Sequence, residues 1–217
     1  MEKKIYKGKL ITFEGPEGGG KTTQIQLLAG YLKDRGFNVI TSREPGGTGI
    51  GISIRNILLD PSFIHIDSRT ELMLFLADRA QHVQEIILPA LEKGSIVICD
   101  RYTDSTIAYQ VGGRNFPEAL IEQLNEFSSY GIKPDLTLLL DVDYSVGIKR
   151  ATKLYTDRFE LEKQQFHERI RQKYHDLQSK EPQRIRILDT TKNHIEIIQK
   201  TIRQILFEEK IIGGLDD

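Results

Sequence analysis

The sequence predicts an α/β protein: a doubly wound parallel sheet of about five strands, flanked by helices. Three observations predict it. Near-continuous apolar runs at residues 10–13, 95–100 and 135–141 suit strands covered on both faces. Stretches with apolar residues at helical spacing alternate with those runs. Between the first run and the first helical stretch lies Gly15-Pro16-Glu17-Gly18-Gly19-Gly20-Lys21-Thr22, which fits G-x-x-x-x-G-K-[ST] in its required strand-to-helix context. The chain has 217 residues with no repeat, low-complexity segment or linker, so one domain over 1–217 is expected.

Each element has its own reason. Leu10-Ile11-Thr12-Phe13 is the first strand, and Ile25, Leu28, Ala29 and Leu32 mark a helix over 21–35 with Gly36 just past its end. A second strand is expected at 37–41, then a turn at 43–48 and a helix over 50–59. Asp67 and Ser68 offer an N-cap, and Ser68 and Glu71 fit a capping box, at the start of a long helix carrying Leu72, Phe75, Leu76, Val83 and Ile87. Pro89 should kink or end that helix. The third strand, 95–100, ends in Asp100, in the manner of a Walker B strand. Pro117 opens an amphipathic helix to about 129, and 135–141 is the fourth strand. A helix from 146 to 153 runs into a basic segment, a polar helix covers 160 to about 180, and 185–188 is the last strand. Ile195, Ile198, Ile202 and Ile205 mark the closing helix, and a frayed tail is expected at 213–217.

Composition excludes several classes. Net charge is −1, so no overall basic field recruits nucleic acid or an anionic membrane. The single cysteine, Cys99, ends an apolar strand and reads as a buried thiol; one cysteine makes no disulfide framework. No secretory signal is read at the N-terminus and no apolar run has membrane-spanning length, so a cytoplasmic protein is expected. His65, His82, His167, His175 and His194 show no metal-ligand spacing. Asp141 and Asp143 read as capping or solvated carboxylates at a strand end.

The chemistry starts at the glycine-rich loop. Its backbone N–H groups can converge on phosphate, aided by the helix N-terminus. Lys21 is placed to reach the β- and γ-phosphates, and the Thr22 hydroxyl to ligate Mg²⁺. Other charged groups follow strand ends: Glu17 after the first, Arg43 and Glu44 after the second, Asp100 and Arg101 after the third. A doubly wound sheet gathers these around one crevice. The extra arginines imply a second anion facing the triphosphate, hence phosphoryl transfer between two bound phosphates.

Four stretches carry a family resemblance: residues 13–22, Arg43-Glu44-Pro45-Gly46-Gly47-Thr48, Asp100-Arg101-Tyr102 and Asp157-Arg158-Phe159-Glu160. They closely resemble the signature stretches of the thymidylate kinases, over roughly residues 8–206. The resemblance implies a P-loop NTPase fold with a basic lid at about 149–160. It implies transfer of the γ-phosphate of ATP, with Mg²⁺, to dTMP. ATP would sit on Gly15, Pro16, Glu17, Gly18, Gly19, Gly20, Lys21, Thr22 and Thr23. Glu17 would also meet the acceptor's 3′-hydroxyl. Arg43 and Arg101 match the arginines on the monophosphate, and Pro45 a proline often preceded by a cis bond. Phe75 matches the aromatic that stacks on thymine, Arg79 the arginine that reads a thymine carbonyl, and Thr106 a position at the base edge. Tyr109 matches the tyrosine that crowds C2′, with Gln110 beside it.

The P-loop lacks the arginine of one class of this family, so the resemblance is to the class whose lid supplies that charge. Arg158 is the first choice, Arg150 the second, with Lys153 between them. Asp100 would act on Mg²⁺ through water. Residues 189–192 would border adenine. A homodimer is implied, through the helices near 70–92 and 103–129. The alternatives are a kinase for another nucleoside monophosphate, a GTPase switch, and a nucleic-acid-stimulated ATPase. No Asn-Lys-x-Asp guanine signature supports the second, and no basic stripe supports the third.

Overall fold

The computed structural model of the protein describes residues 6–151 and 157–213. Five strands form one parallel sheet in the order β2-β3-β1-β4-β5. They are β1 (Lys9–Glu14), β2 (Val39–Arg43), β3 (Ile96–Asp100), β4 (Leu136–Asp141) and β5 (Ile185–Asp189). Because successive side chains point to opposite faces, each buried strand feeds two cores. Ile11, Phe13, Leu138 and Leu140 pack with Ile25, Leu28, Ile198 and Ile202 on one face. These last four come from α1 (Lys21–Asp34) and α9 (Ile195–Glu208). On the other face Leu10, Val97 and Cys99 pack with Val83 and Ile87, while Leu139 joins a cluster with Leu72, Ile107, Phe166 and Ile170.

The register positions the site. Phe13 of β1 and Arg43 of β2 both pair with Asp100 of β3. The loops leaving these three strands therefore emerge side by side at the carboxyl edge of the sheet.

Several elements depart from expectation. β2 runs to Arg43, two residues later than predicted, because its backbone pairs with β3 as far as Asp100. Arg43 thus ends a strand and does not start the turn, and α2 (Gly49–Leu59) follows that turn. The capping box is not made. Asp67 is the N-cap of α3 (Ser68–His82), and its carboxylate accepts from the Arg69 and Thr70 N–H groups. Glu71 is instead buried and ion-paired.

Pro89 does not end the long helix, but regular α-helix is interrupted just before it. A π-helical turn (Val83–Ile87) precedes it, and Pro89 lies in the first turn of α4 (Leu88–Glu92), where a missing N–H is tolerated. After β3 come α5 (Thr103–Thr106), a second π-helical stretch (Ile107–Gly113) and α6 (Glu118–Ser128). α7 is Tyr144–Ala151, and α8 starts late, at Gln164, running to Lys180. Its delayed start follows from Asp157, whose carboxylate accepts from the Phe159 and Glu160 N–H groups and holds that stretch in a turn. Asp141 is not a solvated carboxylate: it is buried, Arg171 of α8 donates to both its oxygens at 2.7–2.8 Å, and His175 lies 3.3 Å away, while Asp143, exposed just before α7, accepts from the same arginine at 2.6 Å. Cys99 is buried, and burial raises its thiol pKa well above the ordinary value. Lys153 and the rest of 152–156 lie outside the described residues, as do the last four positions of the expected frayed tail.

Candidate active site

The glycine-rich loop closes onto its neighbours by backbone contact. Gly18 has φ +72°, and a Cβ there would lie 2.0 Å from the Gly147 carbonyl oxygen, so only glycine fits between loop and α7. Gly20, also left-handed at φ +84°, leads into α1. Lys21 folds back to donate to the Gly15 and Pro16 carbonyls, at 3.1 and 2.9 Å. Burial, then the neighbouring Arg101 cation, lowers its pKa. An anion entering the loop therefore meets a desolvated ammonium, where its attraction is strongest.

Arg101 is held from all sides. Its backbone is left-handed, φ 69°, which turns the side chain back under the loop. Nη1 shares its two hydrogens among the Gly15 carbonyl (3.0 Å), Ser105 Oγ (3.1 Å) and Tyr174 Oη (3.1 Å), while Nη2 ion-pairs with Glu17. Tyr109 Oη donates to the same Glu17 oxygen at 3.1 Å. Burial alone would raise the Glu17 pKa; Arg101 and Lys21 outweigh it and hold it at about 2. Glu17 is thus a fixed anion between the loop and Arg101.

Behind this pair sits Glu14, which the sequence reading passed over. It accepts from the Tyr102 N–H (2.7 Å) and the Ser105 and Tyr174 hydroxyls. Burial and Asp104 raise its pKa to about 7. The sign follows from linkage. The folded protein keeps this proton to higher pH than the unfolded chain, so stability falls as pH rises from about 4.5 to about 7. In Glu14→Gln that loss should be absent. Melting temperatures of variant and parent, compared from pH 4.5 to 7.5, should shift steadily in the variant's favour; a pH-independent difference would refute the assignment.

The acceptor side is built on α3. Arg79, buried, donates through Nε to Glu44 Oε2 (2.9 Å) and through Nη1 to Thr106 Oγ1 (2.8 Å) and Asn125 Oδ1 (2.7 Å). The Glu44–Pro45 peptide is cis, as the resemblance suggested. Phe75 is half-buried, its ring 6.0 Å from Phe159. Gln110 donates to Glu71 Oε1 at 2.9 Å.

The phosphate loop, the Glu17–Arg101 pair and the acceptor-side groups Phe75, Arg79, Thr106 and Gln110 border one cleft of about 800 Å³. Of the sequence-predicted residues, it is lined by Glu17 to Thr23, Arg43, Pro45, Phe75, Arg79, Asp100, Arg101, Thr106, Tyr109, Gln110 and Arg150. Gly15 and Pro16 lie behind the loop, contributing their carbonyls to Lys21. Thr190 and residues 193–196 close the far end, where Arg150 Nη1 donates to the Thr190 carbonyl (3.0 Å). Arg158 is not brought there. It is buried, with Nε on the Leu58 carbonyl (3.0 Å) and Nη2 2.6 Å from Glu71 Oε2.

Arg55, unread in the sequence, also lines the cleft and donates to the Pro45 carbonyl at 2.9 Å. No local pattern marks it, because a single arginine on a surface helix looks solvated. Glu14 did leave a signal: a carboxylate inside an apolar strand.

Among the described residues no cluster of three or more His, Cys, Asp or Glu could hold a metal. The cleft instead offers the Thr22 hydroxyl and the Asp100 carboxylate. Such a sparse oxygen set fits Mg²⁺, which takes its remaining ligands from phosphate and water.

The thymidylate kinase family model matches residues 13–202. The thymidylate kinase of Pelobacter propionicus is 45% identical over 206 residues, covering 92% of this chain and 94% of its own. That of Desulfovibrio desulfuricans is 45% identical, with 87% and 90% covered. Among solved structures, thymidylate kinase from Ehrlichia chaffeensis superposes with a TM-score of 0.77 at 36% identity, covering 92% of this chain and 98% of its own.

Proposed function

The chain belongs to the thymidylate kinase family, enzymes that phosphorylate dTMP to dTDP with ATP, and from that premise we propose how its cleft performs the transfer. ATP lies with its phosphates on residues 15–23 and its base toward Thr190 and residues 193–196. dTMP lies opposite, its phosphate on Arg43 and Arg101 and its base between Phe75 and Arg79. The observation that carries this reading is the single cleft joining the phosphate loop to Phe75 and Arg79, with the Glu17–Arg101 pair between them.

The reaction is a direct in-line displacement. An acceptor phosphate oxygen attacks the γ-phosphorus, the bond to the β-bridging oxygen breaks, and ADP leaves. Lys21 and Arg101 face the charge that spreads over the equatorial oxygens, in a site where donors are already oriented. Glu17 fixes Arg101 and receives the acceptor's 3′-hydroxyl. Thr22, and Asp100 through water, would hold Mg²⁺, which would supply charge neutralisation between the phosphates. Tyr109, tied to Glu17, crowds the sugar and disfavours a 2′-hydroxyl. Thr106 and Gln110 border the base. From the lid, Arg150 is the cation that supports this role best, because it borders the cleft while Arg158 is committed to Glu71.

We place the enzyme in the cytoplasm as a homodimer. No helix among the described residues is long and apolar enough to cross a membrane. Met73, Leu120 and Phe127 expose apolar surface on the helices expected at the dimer interface.

The test is ADP formation from ATP and Mg²⁺ with dTMP, dUMP, UMP, dCMP, AMP, GMP or no acceptor. Turnover with dTMP, weaker turnover with dUMP and little with the others is expected. Preference for another monophosphate would refute the base-pocket reading. ATP hydrolysis indifferent to every acceptor would refute transfer itself.

A further inference from the structure

Arg79 has five N–H donors in a rigid plane. The Nε hydrogen is on Glu44 Oε2, and both Nη1 hydrogens are taken, by Thr106 and Asn125. Nη2 lies 2.8 Å from the same Glu44 oxygen. It is the one nitrogen with a hydrogen still to offer, and Arg79 borders the cleft.

The groups that impose this are themselves locked. A guanidinium only donates, so the Asn125 oxygen must face Arg79. The Asn125 amide nitrogen then faces outward, and it donates to the Thr103 carbonyl at 3.1 Å. Asn125 thereby ties α6 to the start of α5. On the other side, His82 Nδ1 donates to Glu44 Oε1 (2.8 Å), and its Nε2 lies 2.6 Å from Ser42 Oγ. Both oxygens of Glu44 are therefore held. Asn125 and His82 are buried and neither lines the cleft.

We infer that Asn125 and His82 are positioning residues for base selection: from outside the cleft Asn125 takes one hydrogen of Arg79 Nη1 and His82 fixes Glu44, so that, with Thr106 and Glu44 taking the other three, Arg79 keeps a single N–H for the acceptor base. This rests on the thymidylate kinase reading. The chemistry chooses the base class. With the 4-position of the base turned to Arg79, the aimed donor suits the carbonyl there in dTMP and dUMP. It meets an amino group at that position in dCMP, where two donors face each other and neither is satisfied. A loosely held guanidinium, able to turn its plane, would lose that discrimination.

The experiment is steady-state kinetics of Asn125→Ala and Asn125→Asp with dTMP, dUMP and dCMP. Asn125→Ala should lower the dTMP-to-dCMP ratio of kcat/KM by about tenfold, the scale of one charge-assisted hydrogen bond, mostly through a higher KM for dTMP. The dTMP-to-dUMP ratio should not move, because both bases carry the same 4-carbonyl. The KM for ATP should also hold. Asn125→Asp keeps an acceptor facing Arg79 and should recover most of the ratio. It also serves as the second variant if Asn125→Ala does not fold, since a merely structural defect would depress all three substrates together. An unchanged dTMP-to-dCMP ratio in a folded Asn125→Ala, or equal losses on all three acceptors, overturns the inference while leaving dTMP kinase activity standing. A wild-type protein active on another monophosphate and not on dTMP overturns the functional reading, and this inference with it.

Discussion

Lys21→Met should lower kcat by a factor on the order of 10²–10³ or more, the scale for removing one oriented donor from developing charge. The KM for dTMP should stay within a few-fold, because Arg43, Arg101, Phe75 and Arg79 remain. The reason lies in where the ammonium sits. It is buried against two loop carbonyls, which accept its hydrogens and leave its charge facing the phosphate site. Methionine keeps the length and packing and removes the charge together with the two hydrogen bonds to the loop carbonyls. The fold should survive, since a desolvated cation that already titrates low adds little to stability. Initial rates against both substrates, with a melting curve for each protein, decide it. A kcat within about threefold of the parent would remove Lys21 from the transfer step.

Glu71→Leu carries the largest expected effect on stability. The carboxylate is 1% exposed and meets Arg158 at 2.6 Å and Arg114 at 3.0 Å, while Gln110 donates to it as well. Removing it leaves Arg158, 4% exposed, with a buried and uncompensated charge. Breaking a buried pair this way costs about 3–5 kcal/mol. For a chain of this size that is a fall in Tm of about 6–20 °C. The contrast with Arg158→Met is the informative one. There the remaining Glu71 still has Arg114 and Gln110, so a smaller loss is expected, with kcat near that of the parent. If Arg158→Met melts normally but loses about a hundredfold in kcat, the arginine leaves Glu71 during turnover and acts in the lid after all.

These two cases mark the limit of what can be read from a linear chain. The place of Lys21 was legible because it is fixed locally. The loop, the helix start and the lysine lie within eight residues, and the backbone conformations that glycine permits at Gly18 and Gly20 already dictate the shape. The sheet was legible for a similar reason: apolar runs at 10–13, 95–100 and 135–141 have no partner but each other and the helices between them. Arg158 was not legible. Its motif Asp157-Arg158-Phe159-Glu160 sits in a basic segment, and local sequence says only that a cation is present. Whether it faces phosphate or Glu71, 87 positions away, is a competition between two anions, settled by which one packing brings within 3 Å. The same holds for Asp141, read as a solvated carboxylate until Arg171 arrives from α8, and for Asn125, an unremarkable polar residue on an amphipathic helix until Arg79 is set beside it. The chain alone settles backbone geometry, the alternation of strands and helices, and the charges waiting at strand ends, because those depend on neighbours a few residues off. The pairing of buried charges depends on residues tens of positions apart. In a low-dielectric interior each such charge must find a partner, and the fold chooses which.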